Sequence, residues 1–321
     1  MRLVQLESNA ITGTASGGEN GLRVPSTTRS MSPVGGGLLQ RKAEDPWGYY
    51  TETRPTPSAG LGVFAVRDIP RGTRLAAEEP LLSVPAVANE NLYSAVCEAL
   101  QTTSAKNLAL LDNHSCDEYT LKVANTGEIR KKIIQWYMDL PDIAKPYSNI
   151  TELNEIVNQT CRRYAIFLTN NLDMGLGLGA GLFPCFSRMN HSCTPNTFDV
   201  YNITLRRLTI HAARDIKRGE QLHSVYIEPM WPRERRLKKL RAWGFECTCA
   251  VCSDDVLEAM REETFRLDDS LAEYLEWLDE GGDDDDDLPF LRTHDEAWDA
   301  AKKMVELLLR QGLGGDALFN A

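Results

Sequence analysis

What this chain lacks narrows its possibilities first. No stretch of its 321 residues approaches the roughly 18 consecutive apolar residues that a membrane-spanning helix needs, so no membrane partner is expected. The opening MRLVQLESNA has no apolar core, and no secretory signal is read from it. Positive charge is the minority sign: 35 Lys and Arg face 46 Asp and Glu, for a net charge of −11. That balance disfavours non-specific nucleic-acid binding by the chain as a whole. A complete G-x-G-x-x-G fingerprint is also missing. In GLGLGAGLF (175–183), Ala180 and Leu182 stand where the last glycine is needed, so no phosphate loop is read there.

The composition, 42% hydrophobic and 25% charged, is that of an ordinary soluble globular protein. Eight cysteines without a signal suggest free thiols or metal ligands in a reducing compartment. Nucleus and/or cytoplasm is the expected location. Residues 1–46, rich in Gly, Ser and Thr without apolar periodicity, are expected to be a disordered tail.

GLGVFAVRDIPRGTRLAAEEPLLSVP then reads as short strands joined by turns. VRDIPRGTRL (66–75) and ARDIKRGEQL (213–222) share six of ten positions in register, which common turn chemistry explains. Between these units lies a helical insert, about 88–170. Its second half carries Leu153, Ile156, Val157, Thr160, Cys161, Tyr164, Phe167 and Leu168 at helical spacing. Asn149 or Thr151 can cap that helix, and Glu152 suits its first turn. Residues 197–227 read as further strands. Pro232 opens a basic helix, RERRLKKLRAW, expected to bury Leu237 and Leu240 and to solvate its charges. Helices are expected over 256–279 and 294–311, with five consecutive aspartates, 283–287, as a solvated linker between them.

Cys247, Cys249 and Cys252 form C-x-C-x-x-C. Three thiols packed this tightly suggest structural zinc, which takes four ligands in a tetrahedron. The fourth must come from elsewhere: Cys97, Cys116, Cys161, Cys185, Cys193 or one of the five histidines. Spacing alone does not choose. The tetrapeptide NHSC occurs twice, at 113–116 and 190–193. The first copy ends a helix and suits a cap and loop. The second sits in GLFPCFSRMNHSCTPNTF, ahead of RGEQLHSVYI and the cysteine cluster. A nucleophilic Cys193 beside His191 is disfavoured on the expectation that neighbouring residues of an extended segment face opposite ways.

The order G-x-G, GLFPxxSRxNHSCxPN, RGEx(L/I)xxxYI, FxCxCxxC resembles the SET-domain protein lysine methyltransferases over roughly residues 55–255. The likeness is nearest to the SET-and-MYND subfamily and its fungal relatives lacking the MYND finger. The resemblance implies a mainly β SET fold of short-strand sheets with a pseudoknot, a helical insert, a zinc-binding post-SET segment and C-terminal helices. The segments would be a SET domain at 47–228, a post-SET helix and cysteine cluster at 229–252, and a C-terminal helical region at 253–321. It implies S-adenosylmethionine as methyl donor, one structural zinc and a protein substrate presenting a lysine, with a monomer as the expected state. It also implies Cys193 as the fourth zinc ligand, with Cys247, Cys249 and Cys252.

By the same resemblance Tyr226 stands beside the transferring methyl. Gly60, Leu61, Gly62, Ser187, Met189, Asn190, His191 and Phe245 contact the cofactor, and Trp243 lines the lysine channel. Ala59 stands where Lys or Arg is common, and Val225 where Ser is common. These departures motivate the alternative of a catalytically inactive SET-fold scaffold.

Overall fold

A computed structural model describes residues 46–57, 60–88, 91–279 and 290–313. The expected N-terminal tail up to residue 45, Ala59 and the aspartate run 283–287 lie outside the described residues.

Among the described residues, ten short strands form three small sheets. In the first, β1 (Thr51–Pro55), β2 (Leu61–Ala65), β10 (Gln221–Ser224) and β7 (Asn190–His191) lie in that order. The second runs β3 (Arg74–Glu78), β9 (Arg207–Ala212), β8 (Thr197–Asn202). The third runs β4 (Leu82–Val84), β6 (Ala180–Leu182), β5 (Asn171–Asp173). Alternation sets the inner faces: Val63 and Ala65 of β2, Leu75 of β3, Leu208 and Ile210 of β9 and Leu222 of β10 share one core with Met189.

A short helix, α1 (Pro46–Tyr50), precedes β1, and between β4 and β5 the described residues form five α-helices: α2 (Leu92–Thr102), α3 (Ala105–Asp112), α4 (Glu118–Ala124), α5 (Gly127–Asp139) and α6 (Ile150–Asn170). Asn149 caps α6, its side chain accepting from the Thr151 and Glu152 amides at 3.0 Å. The apolar stripe read from the sequence is the buried face: Leu153, Val157, Thr160, Cys161, Tyr164 and Phe167. After the sheets come α7 (Arg233–Leu240), α8 (Ala250–Ser253), α9 (Asp255–Asp279) and α10 (His294–Arg310). The last two meet through Leu267 and Leu271 of α9 and Met304 and Leu308 of α10.

The expectation of a mainly β fold is overturned. Helix takes 50% of the described residues and strand 17%. Each strand is short, because glycine and proline turns break the β segments, whereas the insert and the C-terminal pair are long amphipathic runs.

The two decapeptide repeats are more than similar turns, because they grip each other. Ile69 and Ile216, at equivalent positions, form an antiparallel bridge with reciprocal bonds of 2.8 and 2.9 Å. The Asp68 carboxylate accepts from the Arg218 amide at 2.9 Å, and the Asp215 carboxylate accepts from the Arg71 amide at 2.8 Å. The Gly72 and Gly219 amides donate to Ala212 and Ala65 carbonyls at 2.8 and 2.7 Å. This clasp closes the first sheet against the second and fixes where β10, and hence Tyr226, begins.

Candidate active site and thiol centre

The second NHSC copy is the edge of the first sheet. β7 pairs in parallel with β10, His223 opposite Asn190 and Ser224 opposite His191, and the Ser192 amide donates to Ser224 O at 3.0 Å. Residues far apart in sequence therefore converge just past the strand ends. The Tyr226 hydroxyl donates to Met189 O at 2.7 Å, and the Tyr226 amide donates to His191 Nδ1 at 3.1 Å. Trp243 and Phe245 close over them, with ring centroids 5.7 and 6.4 Å from Tyr226, and Phe245 lies 6.1 Å from His191. Tyr226, Trp243 and Phe245 are half-buried, and Met189 is fully buried.

Asn190 is half-buried at the mouth of this aromatic group, and its Nδ2 donates to Leu61 O at 3.1 Å. Gly62 explains why no side chain follows Leu61 there. A Cβ at 62 would lie 2.5 Å from Gln221 Nε2 and 3.0 Å from Asn190 Nδ2. Gly60 turns the chain with φ +64°. Ser187, in the single turn Phe186–Arg188, donates its hydroxyl to Phe183 O at 2.6 Å. The site thus gathers Leu61, Gly62, Met189, Asn190, His191, Tyr226, Trp243 and Phe245, and leaves Ser187 holding its own turn. A carboxamide beside a sheet edge and several aromatic faces suits a ligand with a flat base and an amino-acid end.

Sequence reasoning missed Glu78. This residue, 9% exposed, accepts from the Cys185 and Phe186 amides at 2.7 and 2.9 Å. It thereby anchors the turn that leads to Met189 and Asn190. Burial pushes its carboxyl up to about 7 against the opposing pull of those two amides. The signal available was an acid inside the apolar strand pattern of RLAAE.

Below the aromatic group, Cys193, Cys247, Cys249 and Cys252 bring their Sγ atoms within 4.8 Å of one another. Cys193 Sγ is 4.0 Å from that of Cys247 and 3.6 Å from that of Cys252. A tetrahedral ion with Zn–S bonds of about 2.3 Å places its sulfurs about 3.8 Å apart, so the donor set fits zinc in type, number and spacing. Hydrogen bonding to Cys193 and Cys247 pulls the Cys252 thiol below its ordinary range, and the Arg236 guanidinium acts in the same direction. Cys97, Cys116, Cys161 and Cys185 are not part of this cluster.

His191 and Cys193 do not face opposite ways, contrary to the expectation from the sequence. They are two residues apart, so an extended chain directs both side chains to one side, and His191 Nε2 lies 3.4 Å from Cys193 Sγ. The sulfur is nevertheless no nucleophile. Cys193 is fully buried, and the surrounding thiols, Cys247 first, together with burial, push its own thiol up.

The first NHSC copy is a cap and loop. Asn113 ends α3, and His114 is buried with Nδ1 2.9 Å from Leu110 O. The basic helix α7 departs from expectation in one residue: Leu240 is buried and Leu237 half-buried, but Arg236 is fully buried too. No described helix is both long and apolar enough to cross a membrane.

The sequence has relatives among known proteins. A family model, SET domain, matches residues 60–227. Histone-lysine N-methyltransferase set5 of Schizosaccharomyces pombe is 30% identical over 200 residues, 62% of this chain and 49% of that protein. Histone-lysine N-methyltransferase SET5 of Candida albicans is 24% identical, with 65% of each chain covered. N-lysine methyltransferase SMYD2 of Homo sapiens is 36% identical over 93 residues, 29% of this chain and 21% of that protein. The chain spans from 21% to 65% of the length of these relatives.

Proposed function

The chain belongs to the SET-domain family, and on that premise we propose that it transfers the methyl group of S-adenosylmethionine to the side-chain amine of a protein lysine. Within the family we place it near the SET-and-MYND group and its fungal relatives without the finger. The observation that carries the reading is the meeting of Tyr226 with the Met189–His191 segment beneath Trp243 and Phe245.

Bound S-adenosylmethionine supplies an electrophilic methyl on a cationic sulfur. The lysine nitrogen must arrive neutral and in line. A solvated lysine is almost fully protonated at neutral pH, and the half-buried rings of Trp243, Tyr226 and Phe245 lower its pKa by excluding water. Tyr226, steadied on the Met189 carbonyl, orients the nitrogen at the bond-forming distance. Asn190 would hold the amino-acid end of the donor, the His191 backbone its base edge, and Phe245 would pack against the base. Gly60, Leu61 and Gly62 line the donor's amino-acid end as backbone. Cys193, Cys247, Cys249 and Cys252 would hold one zinc ion, and their shared ligation would tie the Trp243–Phe245 segment to β7.

The test is calorimetric titration of S-adenosylmethionine into zinc-loaded protein and into Asn190→Ala, followed by radiolabelled methyl transfer to candidate protein lysines. Binding in the natural chain, its loss in the variant, and label on lysine support the assignment. A folded, zinc-loaded chain that binds no donor refutes it and leaves a scaffold.

A further inference from the structure

Among the described residues, Arg236 and Arg261 are the two largest side chains with full burial. A buried guanidinium is costly unless it is paired; Arg236 reaches one of the four thiols, and Arg261 reaches the backbone carbonyl of another of these cysteines. Arg236 Nη2 lies 3.5 Å from Cys252 Sγ and 2.8 Å from Glu258 Oε2, while Nη1 donates to Trp231 O at 2.5 Å. Arg261 Nη1 donates to Pro229 O and approaches Cys193 O at 3.4 Å. Its Nε donates to Gln311 Oε1 at 2.6 Å. Gln311 in turn donates to Thr264 Oγ1 at 2.9 Å and Leu307 O at 3.0 Å. Only one buried carboxylate, Glu258, stands against the two cations among these contacts.

Four thiolates around a divalent ion leave a centre with excess negative charge. That charge accounts for two arginines buried where one carboxylate balances only one of them. Arg236 comes from α7, Arg261 and Glu258 from α9, and Gln311 from the end of α10. The metal centre and the C-terminal helix pair therefore share one network. We propose that Arg236 and Arg261 are outer positioning residues of the thiolate centre: they offset its charge and lock α9 and α10 to it, so that metal retention depends on those helices. This rests on the zinc reading above.

The experiment measures zinc content and the rate of zinc transfer to a chromophoric chelator from the full chain, with no methyl-transfer readout. Arg236→Met and Arg261→Met keep aliphatic volume and remove charge, and Arg236→Lys and Arg261→Lys keep charge. Charge compensation predicts release faster by about tenfold or more in the Met variants and rates near the natural chain's in the Lys variants. If burial and packing alone were at work, the Met variants would hold zinc as the natural chain does, and that result overturns the proposal. Gln311→Met leaves the thiols and both arginines intact and guards against misfolding of the Arg variants. Faster release there supports the link to α10, and an unchanged rate overturns it. A folded natural chain without zinc overturns both the zinc reading and this one, whereas zinc held equally by all variants overturns this one alone.

Discussion

Tyr226 is bound at both ends by the segment that faces it: its hydroxyl donates to Met189 O at 2.7 Å and its amide to His191 Nδ1 at 3.1 Å. Because His191 Nδ1 accepts, the imidazole proton sits on Nε2, which points at Cys193 Sγ 3.4 Å away. One ring thus connects the tyrosine to the thiol centre.

Tyr226→Phe keeps the ring among Trp243, Phe245 and His191 and removes only the hydroxyl. Loss of one orienting group at the reacting atoms costs about a hundredfold in rate. The expected outcome is methyl transfer reduced by at least that factor, with calorimetric affinity for S-adenosylmethionine nearly unchanged. Undiminished transfer would remove Tyr226 from its assigned role.

Much of this arrangement was legible in the sequence where chemistry is local. The α6 cap and stripe follow from Asn149 and a 3.6-residue period, and three of the thiols follow from C-x-C-x-x-C. Non-local facts were not legible. Cys193 could be chosen only through the family likeness, because nothing in its spacing aims it at residues 54 and 59 positions later. The decapeptide repeat was visible, but its reciprocal clasp was not, since a turn motif does not announce its partner. Arg236 reads as solvated from the sequence because six basic residues between 233 and 241 look like one charged face. Its place one turn before Leu240, on the buried side, was the available sign. The mainly β expectation failed for a related reason: the family motifs lie mostly on strands, loops and single turns, whereas the long helices that hold most of the regular residues carry no motif.

Asn149→Ala should cost about 1 kcal/mol of stability, the usual price of an N-cap whose side chain satisfies two first-turn amides. Chemical denaturation measures it. Zinc content and donor binding should not change, because α6 packs within the insert and against the third sheet. A loss of donor affinity would instead make the insert part of the site.

Glu78 ties stability to pH. Its carboxyl is raised by burial from 4.5 to about 7, so the folded chain holds a proton that the unfolded chain releases between those values. The contribution is complete below pH 4.5 and fades as pH rises through 7. Its size is on the order of 3 kcal/mol. Glu78→Gln lacks the titration, so its stability relative to the natural chain should rise across that window. Denaturant midpoints at several pH values give the difference curve, and a flat curve would show that the two amide donors, not burial, govern this carboxyl.

Removing the metal should undo the site from below. Cys193 carries both the thiol centre and the end of the NHSC strand, while Trp243 and Phe245 are joined to Cys247 by only a few residues and stand over Tyr226. Cys193→Ser should therefore lose zinc and donor binding together and lower the melting temperature. Cys116→Ser, in the other NHSC copy and outside the cluster, should keep about one zinc per chain and bind donor normally. Since thiolates must lose their protons to hold the ion, zinc retention should weaken as pH falls. Metal analysis and calorimetry on both variants decide the matter: donor binding that survives complete zinc loss would separate the thiol centre from the aromatic site and leave the zinc with a purely structural role elsewhere in the fold.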